Sequence, residues 1–276
     1  MHFFNHRDPD THKGDYGHAL LIAGGYGKAG AAVLAASATL RAGAGLLTVH
    51  LPRFCVDVMQ TALPEAMVSV DECDDHWTHL FGSEELSRYD AIAVGPGLGT
   101  RSHEALRTLI ENSHDKPLIM DADALNMMSQ QPALKSLLAQ HSAAVVLTPH
   151  AKEYERMFGS DATHGERWER LRQIAQENRW TIVYKGHQTK IATEDGAIYT
   201  NTTGNAGMAT AGCGDVLTGI LLGIMSQNKE RQYTTAECVR EGVRIHGKSA
   251  DEAVKKQSQC SLIASDIVKN LCRVTL

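Results

Sequence analysis

The run from Thr203 to Gly219, TGNAGMATAGCGDVLTG, holds the densest set of chemically useful residues in the chain. Small residues fill its first half and an amphipathic helical pattern follows, so Gly212 and Gly214 stand where a helix begins. Glycine lets a backbone approach a ligand closely and leave ordinary φ/ψ space. The first amides of a helix have no internal partner and face outward, which makes an anion site. Asp215 falls in or beside that first turn. One reading makes it an N-cap after a glycine turn. The other makes Gly212, Cys213 and Gly214 an anion hole and Asp215 an adjacent general base. Glycines, free amides and a carboxylate at one helix end favour the second.

Other polar or glycine-rich clusters each follow a short apolar run. Gly24, Gly25 and Gly27 follow residues 18–23, and Gly95-Pro96-Gly97-Leu98-Gly99 follows 90–94. Asp121, Asp123 and Asn126 follow 117–120, Thr148-Pro149-His150 follows 143–147, and Lys185-Gly186 follows 180–184. Lys185 is either a point charge for a phosphate or a solvated surface lysine. His150 offers a donor or an acceptor. Asp121 and Asp123 either hold Mg²⁺ through water or cap the next helix, with capping favoured for at least one.

The elements that position these clusters alternate. Helical patterns span residues 29–42, near 101–112, 151–158, 164–178, 211–226, 233–250 and 261–272. Between them lie the apolar runs above and one at 46–51, which is the signature of βα units and a mainly parallel sheet with helices on both faces. Residues 189–193 and 197–200, joined by Glu194-Asp195-Gly196, predict a hairpin. Crossovers are expected to be right-handed. In open α/β sheets the ligand crevice lies at the carboxyl ends of the strands, so the clusters converge on one edge. The expected organisation is one α/β domain over residues 1–276, with an N-terminal arm at 1–12.

Composition narrows the partners. The 276 residues are 43% hydrophobic, enough for a substantial core, and the net charge of −5 gives no basic field for nucleic acid or an anionic membrane. Six cysteines lack any CxxC or paired metal spacing and read as free thiols in a reducing compartment. Fourteen histidines form no HExxH, so no protein-bound metal centre is expected. The polar N-terminus has no apolar signal region, and no apolar run would span a bilayer. The expected address is the cytoplasm.

Gly212-Cys213-Gly214-Asp215 matches the G-x-G-D helix start of the ribokinase-like superfamily, and the longer GNAGMATAGCGDVLTG resembles its ADP-dependent NAD(P)H-hydrate dehydratase branch. His12-Lys13-Gly14 with Gly17, Gly30-Ala31-Ala32, Arg41 to Gly45, Gly95 to Gly99, Asp121 to Asn126, Leu147 to His150 and Lys185 to Thr189 are similar to the family's remaining motifs in type and order. Together they cover residues 12–219. The resemblance implies a ribokinase-like fold and return of hydrated NADH or NADPH (S form) to NAD(P)H, with ADP giving AMP and phosphate. ATP serves eukaryotic members, and Mg²⁺ accompanies the nucleotide. It implies that Asp215 is the catalytic base and that Ala31, Gly97 and His150, with Asp215, line the hydrate side. Lys185, Gly186, His187, Gln188, Thr189 and Gly214 would contact the nucleotide. It also implies a homotetramer, for which the Ala-rich first helix offers flat packing surfaces. A separate epimerase is expected, because the chain has no room for the epimerase domain of bifunctional relatives.

Two departures stand out. Cys213 replaces the usual Thr or Ser, and Ala151-Lys152-Glu153 follows His150 where P-G-E is common. The competing functions are a small-molecule kinase of the same superfamily, acting on a vitamin precursor or sugar, and a nucleotide sensor indifferent to loss of Asp215.

Overall fold

The computed structural model describes residues 7–161, 163–230 and 232–274. In chain order the elements are β1 (His18–Ile22), α1 (Ala29–Arg41), β2 (Leu46–Leu51), α2 (Val56–Ala62), β3 (Met67–Val70), α3 (Ser83–Leu86) and β4 (Ala91–Val94). Then come α4 (His103–Asn112), β5 (Leu118–Met120), α5 (Ala122–Gln130), α6 (Pro132–Leu138), β6 (Val145–Leu147), α7 (Ala151–Phe158) and α8 (His164–Asn178). The last group is β7 (Trp180–Tyr184), β8 (Lys190–Ala192), β9 (Ile198–Thr200), α9 (Cys213–Gln227), α10 (Thr235–Ala253) and α11 (Ala264–Asn270).

One nine-stranded sheet runs in the order β3-β2-β1-β4-β5-β6-β7-β8-β9. Its pairings are parallel from β3 to β7, and β8 and β9 add antiparallel as the expected hairpin. Strand residues alternate between two cores. Ala19 and Leu21 of β1 face the α1, α9, α10 and α11 side, whereas Leu20 and Ile22 face α4, α5 and α7. Both faces are thus covered, as a buried parallel sheet requires. Strand order reverses between β1 and β4, the switch point where open α/β sheets leave a crevice.

The expected elements near the site are present with small shifts at their ends. β3 and the short helices between Pro52 and Tyr89 lie in a stretch where the sequence pattern assigns no element. β3 shows why: none of its four residues is fully buried, so it lacks the apolar run that marks the other strands.

The small residues of α1 are used inside the chain. A Cβ at Gly219 of α9 would overlap the Ala35 carbonyl oxygen of α1 and stand 2.8 Å from Ala38 Cβ. The two helices pack this closely only because both faces are small. That face is therefore not available for packing another copy, so the small residues of α1 give no surface for the expected oligomer. Residues 1–6 of the expected N-terminal arm lie outside the described residues. Arg7 donates to the Gly43 carbonyl at 2.9 Å and stacks over the Tyr16 ring, which ties the rest of the arm to the body.

Candidate functional site

The start of α9 is built as the sequence implies, with one change. Gly212 is the N-cap residue in left-handed backbone, φ 87°, and no side chain caps the helix. A Cβ at Gly212 would lie 2.5 Å from Leu34 Cδ1 and 2.9 Å from Ala264 Cβ, so both conformation and space call for glycine. Cys213, Gly214 and Asp215 are then the first three helical residues, and none of their amides has a partner among the described residues. Asp215 is not the N-cap, because its position three residues into the turn follows from the Gly212 bend. Its carboxylate accepts no hydrogen bond from the described residues. Burial, helped by the charge of Asp121 and opposed by Lys185, pushes its pKa up to about 6.

Lys185, at the end of β7, reaches this helix start. Its Nζ is 3.4 Å from where a Gly214 Cβ would stand. The ammonium donates to Asp121 Oδ1 at 2.7 Å and lies 3.8 Å from Glu153 Oε2. Burial works against its charge, but the Asp121 and Glu153 carboxylates prevail and raise its pKa. Lys185 is therefore not a solvated surface group: it is the cation of a buried cluster.

Asp121 is 1% exposed, and its second oxygen accepts Thr218 Oγ1 at 2.6 Å, one turn beyond Asp215. Burial opposes its charge; the Lys185 ammonium and the Thr218 hydroxyl outweigh that and hold its pKa below the usual carboxylate value. Asp121 occupies the N-cap position of α5 but makes no capping hydrogen bond, and Ala122 after it takes φ 46°. Asp123 does not cap α5 either. Its Oδ2 accepts the Gly99 amide at 2.7 Å and Lys28 Nζ at 3.2 Å, and its Oδ1 accepts Asn126 Nδ2 at 3.1 Å. The expectation that one of the two caps a helix is thus overturned, because each carboxylate finds a stronger cationic partner.

His150 is the N-cap of α7. Its Nδ1 accepts the Lys152 and Glu153 amides at 3.1 and 3.2 Å, and Glu153 returns the bond by accepting the His150 amide at 2.8 Å. Two donors on Nδ1 place the ring proton on Nε2. Burial, with Lys185 nearby, lowers the ring's pKa, which keeps the imidazole neutral. The ring is about half exposed (47%), with its Nε2 3.4 Å from Glu153 Oε1. Residues His150 and Lys185 also form a parallel β-bridge, which sets β6 and β7 ends side by side.

On the switch-point side, Gly24 donates its amide to Pro96 at 2.8 Å, and a Gly97 Cβ would stand 3.1 Å from Ala31 Cβ. Ala31 and Gly97 are thus neighbours. Gly186, His187, Gln188 and Thr189 form the exposed turn between β7 and β8, with Gln188 at φ 56°. Among the described residues no hydrogen bond joins them to the cluster; Lys185 is the link.

The residues that sequence reasoning missed are Glu153, Thr218 and the pairing role of Asp121. Their partners lie 64 and 97 positions apart for Lys185–Asp121 and Thr218–Asp121. The one local signal was Thr218 a single turn after Asp215, on the same helix face.

A family model described as NAD(P)H-hydrate dehydratase matches residues 19–273. The ADP-dependent (S)-NAD(P)H-hydrate dehydratase of Bacillus subtilis is 33% identical over 272 residues, covering 97% of this chain and 92% of its own. The bifunctional NAD(P)H-hydrate repair enzyme Nnr of Moorella thermoacetica is 36% identical over 274 residues, covering 95% of this chain, which spans 50% of that relative. The chain thus spans about half the length of the bifunctional relatives it matches. The crystal structure of ADP/ATP-dependent NAD(P)H-hydrate dehydratase from Bacillus subtilis, co-crystallised with ATP/Mg²⁺, superposes with a TM-score of 0.78 at 31% identity, covering 98% of this chain and 92% of that one. A ribokinase-like superfamily protein from Enterococcus faecalis gives the same TM-score of 0.78 at 26% identity, covering 98% and 90%. The fold is ribokinase-like.

Proposed function

The chain belongs to the NAD(P)H-hydrate dehydratase family, and from that premise we propose that it returns S-hydrated NADH and NADPH to NAD(P)H at the expense of ADP. The observation that carries the mechanism is Asp215: a carboxylate raised to about pKa 6 that, like the three amides beside it, has no hydrogen-bond partner among the described residues. At neutral pH most of it is ionised, yet it is basic enough to take a hydroxyl proton. The hydrate hydroxyl gives that proton to Asp215 as its oxygen bonds to the terminal phosphorus of ADP, and the bond to AMP breaks. The amides of Cys213, Gly214 and Asp215 then face the charge on the transferring phosphoryl group. Phosphate is a far better leaving group than hydroxide, so loss of phosphate and a neighbouring proton restores the double bond.

Lys185 supplies the positive charge nearest to Gly214, oriented by Asp121 and Glu153. The Nε2–H of His150 and the Ala31–Gly97 contact form the hydrate side, and the Gly186–Thr189 turn carries the nucleotide. Asp121, Asp123, Glu153 and Asp215 act together on one site, which Lys185 counters near Gly214 and Lys28 counters at Asp123. A polyphosphate entering such a site calls for a divalent cation, and Mg²⁺ binds mainly through phosphate oxygens and water. That fits these residues, since Asp121 and Asp123 already have both oxygens engaged. When bound, Mg²⁺ would neutralise charge on the phosphates, and Asp215 would be the carboxylate left to hold it through water. The proposal extends to a cytoplasmic homotetramer working beside a separate NAD(P)H-hydrate epimerase.

Incubating the full chain with chemically hydrated NADH and Mg²⁺, plus ADP or ATP, tests the reading. Reduced-nicotinamide absorbance should return, faster with ADP than with ATP. No recovery with either nucleotide, or a stable phosphorylated product from a hydroxymethyl substrate, would replace this reading with a kinase.

A further inference from the structure

The loop after β3 carries a second constellation, outside the cluster around Lys185. Cys73 Sγ lies 3.1 Å from His76 Nδ1 and 3.3 Å from Asp75 Oδ1, and those last two atoms are 2.6 Å apart. We propose that Cys73, Asp75 and His76 form a binding site for a thiophilic divalent cation of the zinc type, at the rim of the crevice.

Three features of the geometry point that way. First, the three contacts converge on one point. A nucleophilic relay would use both ring nitrogens of a histidine, one toward the thiol and one toward the carboxylate. Here Sγ and Oδ1 both face Nδ1. Around a tetrahedral zinc with bonds of ~2.0–2.3 Å, ligand atoms stand about 3.3–3.7 Å apart. The present spacing needs to open by only a few tenths of an ångström at Sγ and by ~0.7 Å between Nδ1 and Oδ1. An entering ion would replace the protons that now bridge the three atoms. Sulfur, imidazole and a single carboxylate oxygen select a zinc-like ion over Mg²⁺ or Ca²⁺, which take oxygen ligands.

Second, the loop is held rigid from beneath. Asp71 is 1% exposed and accepts the amides of Cys73, Thr78 and His79 at 2.8, 2.7 and 2.9 Å. It also accepts the Thr78 hydroxyl at 2.6 Å and His50 Nε2 at 3.0 Å. The donors of the constellation are therefore spaced by a buried anchor at both ends of the segment. Third, Arg101 donates to Asp75 Oδ2 at 2.8 Å, which leaves Oδ1 turned to the shared point. Metal-ligating carboxylates are commonly oriented by such an outer partner. The Asp75 and His76 side chains are 40% and 22% exposed, so an ion can enter and water can complete its coordination. The same segment reaches the crevice, because the Asp75 carbonyl accepts the Tyr26 amide at 3.1 Å, in the loop that follows β1.

The test uses the full chain carrying Cys260→Ser and Cys272→Ser, which removes the two exposed thiols. Titration with Co²⁺ should give a thiolate-to-cobalt absorption band that reaches a one-to-one end point and is displaced by Zn²⁺. Zn²⁺ should raise the melting temperature in the same background. Cys73→Ser should abolish the band, and His76→Gln should weaken zinc binding by more than the roughly 10–100-fold expected for loss of an outer partner such as Arg101→Ala. Absence of the band in the parent, or zinc affinity unchanged in both Cys73→Ser and His76→Gln, would overturn the site. Should Cys73→Ser fail to fold, His76→Gln and the parent titration decide the matter alone.

Discussion

Replacing Lys185 by Met keeps the length of the side chain and removes its charge from a pair whose other member, Asp121, is 1% exposed. Removing one partner of a buried ion pair costs about 3–5 kcal/mol, because the remaining charge has no compensation. At about 2.1 cal/mol/K of unfolding entropy per residue, the 276 residues convert that cost into a fall in Tm of about 5–9 °C. The pH dependence carries a sign. In the wild type the pKa of Asp121 lies below its ordinary 3.8, so its pairing stabilises the fold above that value and fades as pH falls through the lowered pKa. In the variant, burial without Lys185 raises the pKa of Asp121, so stability is lost as pH rises through the raised value. The gap in Tm should therefore be widest at neutral pH and shrink toward pH 4. The assay is thermal melting of both proteins across pH 4 to 8, with Asp121→Asn in the Lys185→Met background recovering part of the loss. A Lys185→Met variant that melts within about 1 °C of the wild type at pH 7, with no trend in pH, would show that Lys185 and Asp121 are not a buried ion pair.

Asp215 predicts the acid limb of catalysis: kcat/KM should fall below an apparent pKa of about 6 as the carboxylate takes a proton, and a profile flat down to pH 5 would contradict its role. Gly212→Ala forces a side chain into left-handed backbone against Leu34 and Ala264, so stability should fall by at least ~1–2 kcal/mol in urea melts, with most of the activity lost.

The parallel architecture was legible because five of the strands near the site are buried apolar runs that end in a polar or glycine-rich cluster. β3 escaped because its residues are half exposed, and the Asp71–His79 loop escaped because hydrogen bonds rather than apolar periodicity fix it. At the site, the glycine bend at Gly212 and the helix start that follows it could be read from spacing alone. The partners of Lys185 could not, since strand order decides which carboxylate meets an ammonium, and a residue such as Asp121 looks like a helix cap until its neighbours are known. His150 shows the same limit in reverse: it caps α7 through Nδ1 while its ring stays half exposed, two properties that one position in the sequence does not separate.

Asp215→Asn separates a base from a structural carboxylate, because asparagine keeps the size and removes the proton acceptor. With hydrated NADH and ADP, kcat should fall on the order of 10²-fold or more while ADP affinity changes little. The melting temperature adds a signed control. The raised pKa of Asp215 means that its charge costs stability as pH rises through about 6, so the Asn variant should melt at or above the wild type at pH 7 and converge with it below pH 4. Near-normal turnover in a variant that folds and binds ADP would show that Asp215 is not the base.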